Sequence, residues 1–240
     1  MAEAGKVAII AALEREVWPL VKNWPRSSKE FEGRKFEFYQ HERIVLVCGG
    51  IGARCARAAT EAVIRFYDPW LVLSVGIAGA LQKEITVGQV LTPRVVVDVS
   101  DASRRDTGTG AGTLVSFSTV ADADQKAKLS QAFGAQAVDM EAAAVARGAE
   151  AHGLRFMACK AISDANDFSM PALARFIAAD GTFRSARFAI HVALRPWLWK
   201  GAVTLARGSA LASRNLCRHL AAFAESRPEE PIVLSAALGS

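Results

Sequence analysis

Five short segments carry acids or glycines at places where a buried strand should end. Ala11-Ala12-Leu13-Glu14-Arg15-Glu16-Val17 puts a cluster of charge directly after an apolar run. Ligands of open α/β sheets collect outside the carboxyl ends of strands, so Glu16 or Glu14 could enter a site; the plainer alternative is a solvated first helical turn. Cys48-Gly49-Gly50-Ile51-Gly52-Ala53-Arg54 reads as strand, glycine-rich turn and helix. Its amides could approach an anion or a sugar, with Gly52 and Arg54 as candidate phosphate ligands, or it could be only a tight turn. As a dinucleotide fingerprint it is poor, because Cys55 replaces the third glycine and Asp68 precedes a strand instead of ending one. Ser74-Val75-Gly76-Ile77-Ala78-Gly79-Ala80-Leu81 dissolves into small residues that would let a planar ligand lie on the backbone. The sharpest pair is Val138-Asp139-Met140-Glu141-Ala142 and Ala161-Ile162-Ser163-Asp164. Acids among Val, Met, Ala and Ile are costly to bury without hydrogen bonds, and a carboxyl so placed can hold a proton near neutral pH, as a general acid must. The plainer alternatives are a helix N-cap for Asp164 and a first-turn helix acid for Glu141.

Elements able to position these groups are visible in the apolar patterning. Runs rich in Val, Ile and Leu at Val7-Ala12, Ile44-Cys48, Leu71-Val75, Val90-Val97 and Phe156-Ile162 predict buried strands. Between them, Ala56, Ala59, Val63 and Phe66 fall at helical spacing within Ala53 to Phe66, and Met140 to Ala151 is an alanine-rich helical run. Alternating strands and helices predict an α/β fold, a three-layer αβα sandwich around a mixed, mostly parallel central sheet. Asp106 to Thr113 is a flexible glycine-rich loop by composition. From Pro196 to Phe223 the spacing predicts one long amphipathic helix, with Leu198, Leu205, Leu216, Leu220 and Phe223 on one face and Lys200, Arg207, Arg214 and Arg218 opposite. Arg227-Pro228-Glu229-Glu230-Pro231 then begins a loose tail. The expectation is one domain over 1–226 and a tail over 227–240.

The 240 residues suit one domain with a sizeable core, and no apolar stretch reaches the roughly 18 to 20 residues a bilayer span needs. The apolar run Val7 to Ala12 is too short for a signal-peptide core, so a cytoplasmic protein is expected. Cys48, Cys55, Cys159 and Cys217 have no CxxC pair and no histidine at metal-ligand spacing, which predicts neither a metal nor disulfides. The net charge of +5 is uneven: Gly181 to Ala224 holds seven Lys or Arg residues and no acid. With only Trp197 and Trp199 interleaved, that basic segment matches no nucleic-acid-binding motif.

The combination and order of the five segments, from Val7 to about Asp167, resembles the methylthioadenosine/adenosylhomocysteine nucleosidase and purine nucleoside phosphorylase family. The resemblance implies cleavage of the N-glycosidic bond of a purine nucleoside with no cofactor. Met140 and Glu141 would line the ribose, the Glu141 carboxylate accepting from its 2′ and 3′ hydroxyls, with Val138 and Asp139 counted in the same substrate-binding segment. Asp164 would protonate the purine at N7, positioned by Ser163; Glu16 would activate water; Ala78 and Gly79 would lie against base or sugar. Phosphorylases of the family hold phosphate with an Arg and a Ser on the strand that here reads Leu73-Ser74-Val75-Gly76-Ile77, and neither stands at its matching place. Attack by water is therefore favoured, with Arg54 beside the glycine turn as the remaining route to phosphate. A homo-oligomer is also implied.

Two departures sharpen the expectation. Val97 to Leu114 is shorter than in typical relatives, and Arg195-Pro196-Trp197-Leu198-Trp199-Lys200 suits an anionic lipid surface. With Pro171-Ala172-Leu173-Ala174-Arg175-Phe176-Ile177, these resemble the hopanoid-associated phosphorylase subgroup, thought to release adenine from adenosylhopane. The competing expectations are a soluble nucleoside with a small 5′ group, and a non-catalytic nucleoside-binding or membrane-associated module on the same scaffold.

Overall fold

A computed structural model describes residues 5–225. In chain order the elements are β1 (Val7–Ala11), α1 (Glu14–Val21), β2 (Arg26–Phe31), β3 (Arg34–His41), β4 (Ile44–Cys48), α2 (Ala53–Tyr67), β5 (Leu71–Ala80), β6 (Val90–Leu91), β7 (Val95–Asp98), β8 (Arg104–Asp106), β9 (Thr113–Ser116), α3 (Ala123–Phe133), β10 (Ala137–Asp139), α4 (Ala142–Ala151), β11 (Arg155–Asp164), a 3₁₀ turn (Pro171–Phe176), α5 (Ser185–Ala193) and α6 (Pro196–Glu225). The tail expected over 227–240 lies outside the described residues.

All strands join one sheet, with β4, β1, β5 and β11 side by side and parallel at its centre. Successive side chains of a strand point to opposite faces, and the core divides accordingly. Val7, Ile9 and Ala11 join Leu71, Leu73 and Val75 under α1 and the later half of α6, whereas Ala8, Ile10 and Val72 pack with α2 and α4. Central strands covered on both sides are apolar at nearly every position, which is why they were legible as runs, with Ser74 and Lys160 as buried exceptions.

The sheet is mixed, as expected: its centre is parallel, β9 runs parallel to both β10 and β7, and the antiparallel pairings lie around them. β3 pairs with β2 and β4, β8 with β7, β6 with β11, and β10 meets β5 through Ala137–Ala80 and Val138–Gly79. β2, at the sheet edge, is polar except for Phe31, and β3 beside it mixes polar and apolar residues, so neither carries a long apolar run. The single strand expected over Val90–Val97 is two, separated by Thr92-Pro93-Arg94, because Pro93 has no amide to give to a ladder. The span from Val97 to Leu114 is not a bare loop: β8 folds back on β7, and Arg147 ties it down through Asp98 (2.8 Å) and Asp101 (2.9 Å).

Candidate active site

The parallel strands β1, β4, β5 and β11 deliver functional groups at their shared carboxyl edge, and β10, antiparallel to β5, brings one to the same place. β1 leads into α1 and Glu16, β4 into the turn at Gly52, β5 into Ala78 and Gly79, β10 into Glu141, and β11 ends in Ser163 and Asp164. A cavity of about 720 Å³ opens there, lined by Glu16, Ala78, Gly79, Val138, Asp139, Met140, Glu141, Ser163 and Asp164. Glu14 is not among the lining residues: it is exposed and accepts from the Tyr39 hydroxyl at 2.6 Å, so of the two acids Glu16 is the one brought to the site.

Glu16 is buried in the first turn of α1, and its Oε2 has no hydrogen-bond partner among the described residues. That oxygen lies over Gly76, where a Cβ would come within 2.8 Å of it. Burial, reinforced by the nearby Glu141 carboxylate and opposed by Lys160, pushes its pKa up from 4.5 to about 8. An acid held this way takes up a proton readily and has an open lone pair for water.

Glu141 is the residue before the first turn of α4, which begins at Ala142 and not at Met140 as expected. Its side chain does not cap α4; it reaches the Gly52 amide at 2.8 Å and the Met140 amide at 3.3 Å. Gly52 can present that amide because it sits at φ +96°, a conformation that L side chains rarely adopt. Burial first, then the neighbouring Asp139, raise Glu141 from 4.5 to about 7, against the pull of Lys160.

Asp139 is buried with both oxygens engaged inside the protein. It accepts from Ser116 Oγ (2.6 Å) and the Ala142 amide (2.9 Å) and pairs with Lys160 (2.9 Å). It borders the cavity, and these contacts fasten β10, α4 and β11 together. Lys160 is almost wholly inside: burial alone would lower its pKa, yet Asp139 and Glu141 outweigh this and hold it above its ordinary value.

Asp164 ends a strand and starts no helix, so the N-cap alternative does not apply. Ser163 Oγ lies 2.5 Å from Asp164 Oδ1 and 3.3 Å from the Ala78 carbonyl. On the other side Lys126, from α3, forms an ion pair with Oδ2 and also donates to the carbonyls of Ala165 (2.7 Å) and Phe168 (3.3 Å). The Lys126 side chain is 2% exposed, so Asp164 meets a buried ammonium in place of the purely apolar surroundings expected from its neighbours in sequence.

The candidate phosphate ligands go elsewhere. The Gly52 amide is spent on Glu141, and the Arg54 guanidinium turns outward to the Ala179 carbonyl and lines no part of the cavity.

The sequence reading missed Lys126, Lys160 and Ser116. Lys160 had a visible signal, a lone cation in the otherwise apolar run Phe156 to Ile162. Lys126 had none, since α3 is short of apolar periodicity and only the fold brings it to β11. The remaining wall was missed as well: Trp18, Pro19, Ile51, Leu173, Ile177, Phe183, Phe188 and the α6 residues Ala202 and Leu205 make most of it apolar. α6 is built into the site. At Gly208 it passes so close to the Ser163 carbonyl that a Cβ would stand 2.1 Å from that oxygen, and Ser213 Oγ donates to the Glu16 carbonyl at 2.8 Å.

The chain is similar to proteins already known. The 5′-methylthioadenosine/S-adenosylhomocysteine nucleosidase of Staphylococcus epidermidis is 25% identical over 197 residues, covering 66% of this chain and 86% of that protein. Among solved structures, S-adenosylhomocysteine nucleosidase from Streptococcus pyogenes in complex with 5-methylthiotubericidin superposes with a TM-score of 0.70 at 20% identity, over 95% of this chain and 99% of that one. The 5′-methylthioadenosine/S-adenosylhomocysteine nucleosidase from Neisseria meningitidis, in complex with methylthio-immucillin-A, gives 0.67 at 21%, over 91% and 97%. The family model for the phosphorylase superfamily matches residues 6–126 and 111–190, and the chain belongs to that superfamily.

Proposed function

We propose that this protein is a nucleosidase that hydrolyses the N-glycosidic bond of an adenine nucleoside carrying a large apolar 5′ substituent. The observation that carries the reading is the convergence of Glu16, Glu141 and Asp164 on one cavity whose remaining wall is mostly apolar.

The chemistry follows from the placement. Glu141, oriented by the Gly52 amide, accepts from the ribose hydroxyls. Asp164, entering the step as the neutral acid, faces the base and delivers its proton to N7, which turns the purine into a neutral leaving group as the C1′–N bond breaks and the sugar takes on oxocarbenium character. Lys126 stabilises the carboxylate that the transfer leaves behind. With Glu16 in its carboxylate form, a water at its unpartnered Oε2 gives its proton to Glu16 and its oxygen to C1′, so the products are free adenine and the free sugar. The diversion of Gly52 and Arg54 to other partners supports water over phosphate as nucleophile, and the similarity to nucleosidases agrees with hydrolysis.

The 5′ group is read from size and lining. A volume of about 720 Å³ lies in the upper part of the roughly 300–1,000 Å³ range of small-molecule sites, and Trp18, Leu173, Ile177, Phe183, Phe188 and Leu205 offer a long substituent apolar contact. The hopanoid-associated resemblance names one such substituent, that of adenosylhopane. A small 5′ group, as in methylthioadenosine, would leave this wall uncovered.

Adenine release, followed by chromatography, from adenosine, methylthioadenosine, adenosylhomocysteine and a 5′-alkylated adenosine, each with and without phosphate, tests the proposal. Phosphate-independent release fastest from the alkylated substrate is expected, and its loss in Asp164→Asn and Glu141→Gln. Release requiring phosphate, with ribose 1-phosphate as product, would overturn hydrolysis; preference for methylthioadenosine would overturn the apolar 5′ group; no release from any substrate would leave a nucleoside-binding module.

A further inference from the structure

Among the described residues seven large apolar side chains are exposed, and six of them fall between Ile190 and Leu211. They belong to the hairpin made by α5, the Leu194-Arg195 link and the first half of α6. Ile190 is 61% exposed, Leu194 72% and Trp197 74%, with Trp199 and Val203 beside them. Clustering of this kind is uncommon on a surface that meets only water. Interspersed with it are Arg184, Arg187, Lys200 and Arg207, all exposed, and none makes an ion pair with a described residue. α5 has no fully buried residue and packs on α6 and the 3₁₀ turn.

We propose that the outer face of the α5–α6 hairpin seats the protein on an anionic bilayer. Tryptophans with aliphatic neighbours settle at the boundary between headgroups and acyl chains, and cations without acids are drawn to anionic lipid. No helix among the described residues is long and apolar enough to cross a membrane, so the hairpin lies on the surface. A second copy of the chain fits this face less well: a two-fold contact would set the same cations against themselves, and Gly181 to Ala224 holds no acid to answer them. Nucleic acid would answer the cations but leaves Ile190, Leu194 and Val203 without a partner.

The inner face of the same hairpin supplies Phe188, Ala202 and Leu205 to the cavity wall, and Phe183 joins them from just before α5. An apolar 5′ substituent therefore has a path from the bilayer into the site along α5 and α6 without crossing water. This delivery step rests on the proposed substrate; the docking does not.

The test uses the full chain with vesicles of phosphatidylcholine alone or mixed equally with phosphatidylglycerol, measuring co-sedimentation without substrate. Binding to the mixed vesicles alone is expected, weakened roughly tenfold or more in Lys200→Glu/Arg207→Glu, where two attractive charges become repulsive, and in Leu194→Ser/Trp197→Ser. Equal binding to both vesicles, or unchanged binding by both variants, would overturn it. So would tighter binding to duplex DNA than to vesicles, or a wild-type dimer that Leu194→Ser/Trp197→Ser makes monomeric with vesicles unbound. For delivery, both variants should cleave 5′-alkyladenosine in micelles at the wild-type rate and more slowly when it is embedded in the mixed vesicles; equal rates in vesicles would refute delivery. Failure of every protein to cleave any nucleoside, with vesicle binding intact, would instead count against the substrate.

Discussion

Glu16→Gln separates what this residue does for chemistry from what it does to stability. Glu16 is held near pKa 8 in the folded chain against an ordinary 4.5, chiefly by burial. Between these values the native state keeps a proton that the unfolded chain has released, so stability falls as pH rises from about 4.5 to about 8 and then levels off. At about 1.4 kcal/mol per pH unit the whole window corresponds to roughly 5 kcal/mol. Some of this is shared with Glu141 and Lys160, so about 3–5 kcal/mol is the expected range. Gln cannot titrate, and the loss contributed by Glu141 stays in both proteins and subtracts out to first order. Urea unfolding at pH 5 and pH 9 is the assay: the stability of the variant relative to wild type should improve by about 3–5 kcal/mol from the lower pH to the higher. The same substitution should slow hydrolysis by roughly 10² to 10⁴, the usual worth of a positioned proton acceptor. A relative stability that differs by less than about 1 kcal/mol between the two pH values would show that Glu16 is not kept protonated by its burial, and the account of its open lone pair would fall with it.

Other expectations follow from single contacts. Lys126→Gln, which removes the ammonium beside Asp164, should lower kcat roughly 10- to 100-fold with little change in KM, and Lys126→Arg should recover part of it; a change confined to KM would refute the role given to Lys126 in proton transfer. Gly208→Val drives a side chain against the Ser163 carbonyl, so the urea midpoint should drop by an amount worth about 1–3 kcal/mol, and turnover should fall in the protein that remains folded. Unchanged turnover would mean that α6 does not set the position of Asp164. Arg54→Ala should leave adenine release indifferent to phosphate and close to the wild-type rate, since its guanidinium faces Ala179; a large loss would restore Arg54 to the substrate's reach.

The sequence alone determined the central layers and the main acids. β1, β4, β5 and β11 are buried on both faces and so had to be written as largely apolar runs, interrupted inside the sheet by Ser74 and Lys160, and Glu16, Gly52, Gly79 and Asp164 stand at or soon after the ends of such runs. Ser163 beside Asp164 and the Gly-rich turn at Gly52 were legible for the same reason, being local in the chain. The edge strand β2 and its neighbour β3 were not, because partial burial gives a weaker and partly polar pattern. What only the tertiary structure decided is who meets whom across the chain: Gly52 with Glu141, Lys160 with Asp139, and Lys126 with Asp164, the last pair 38 residues apart. Burial and opposing charge act through space, so whether an acid is orphaned like Glu16, tied up like Asp139 or paired like Asp164 depends on partners that its neighbours in sequence do not reveal.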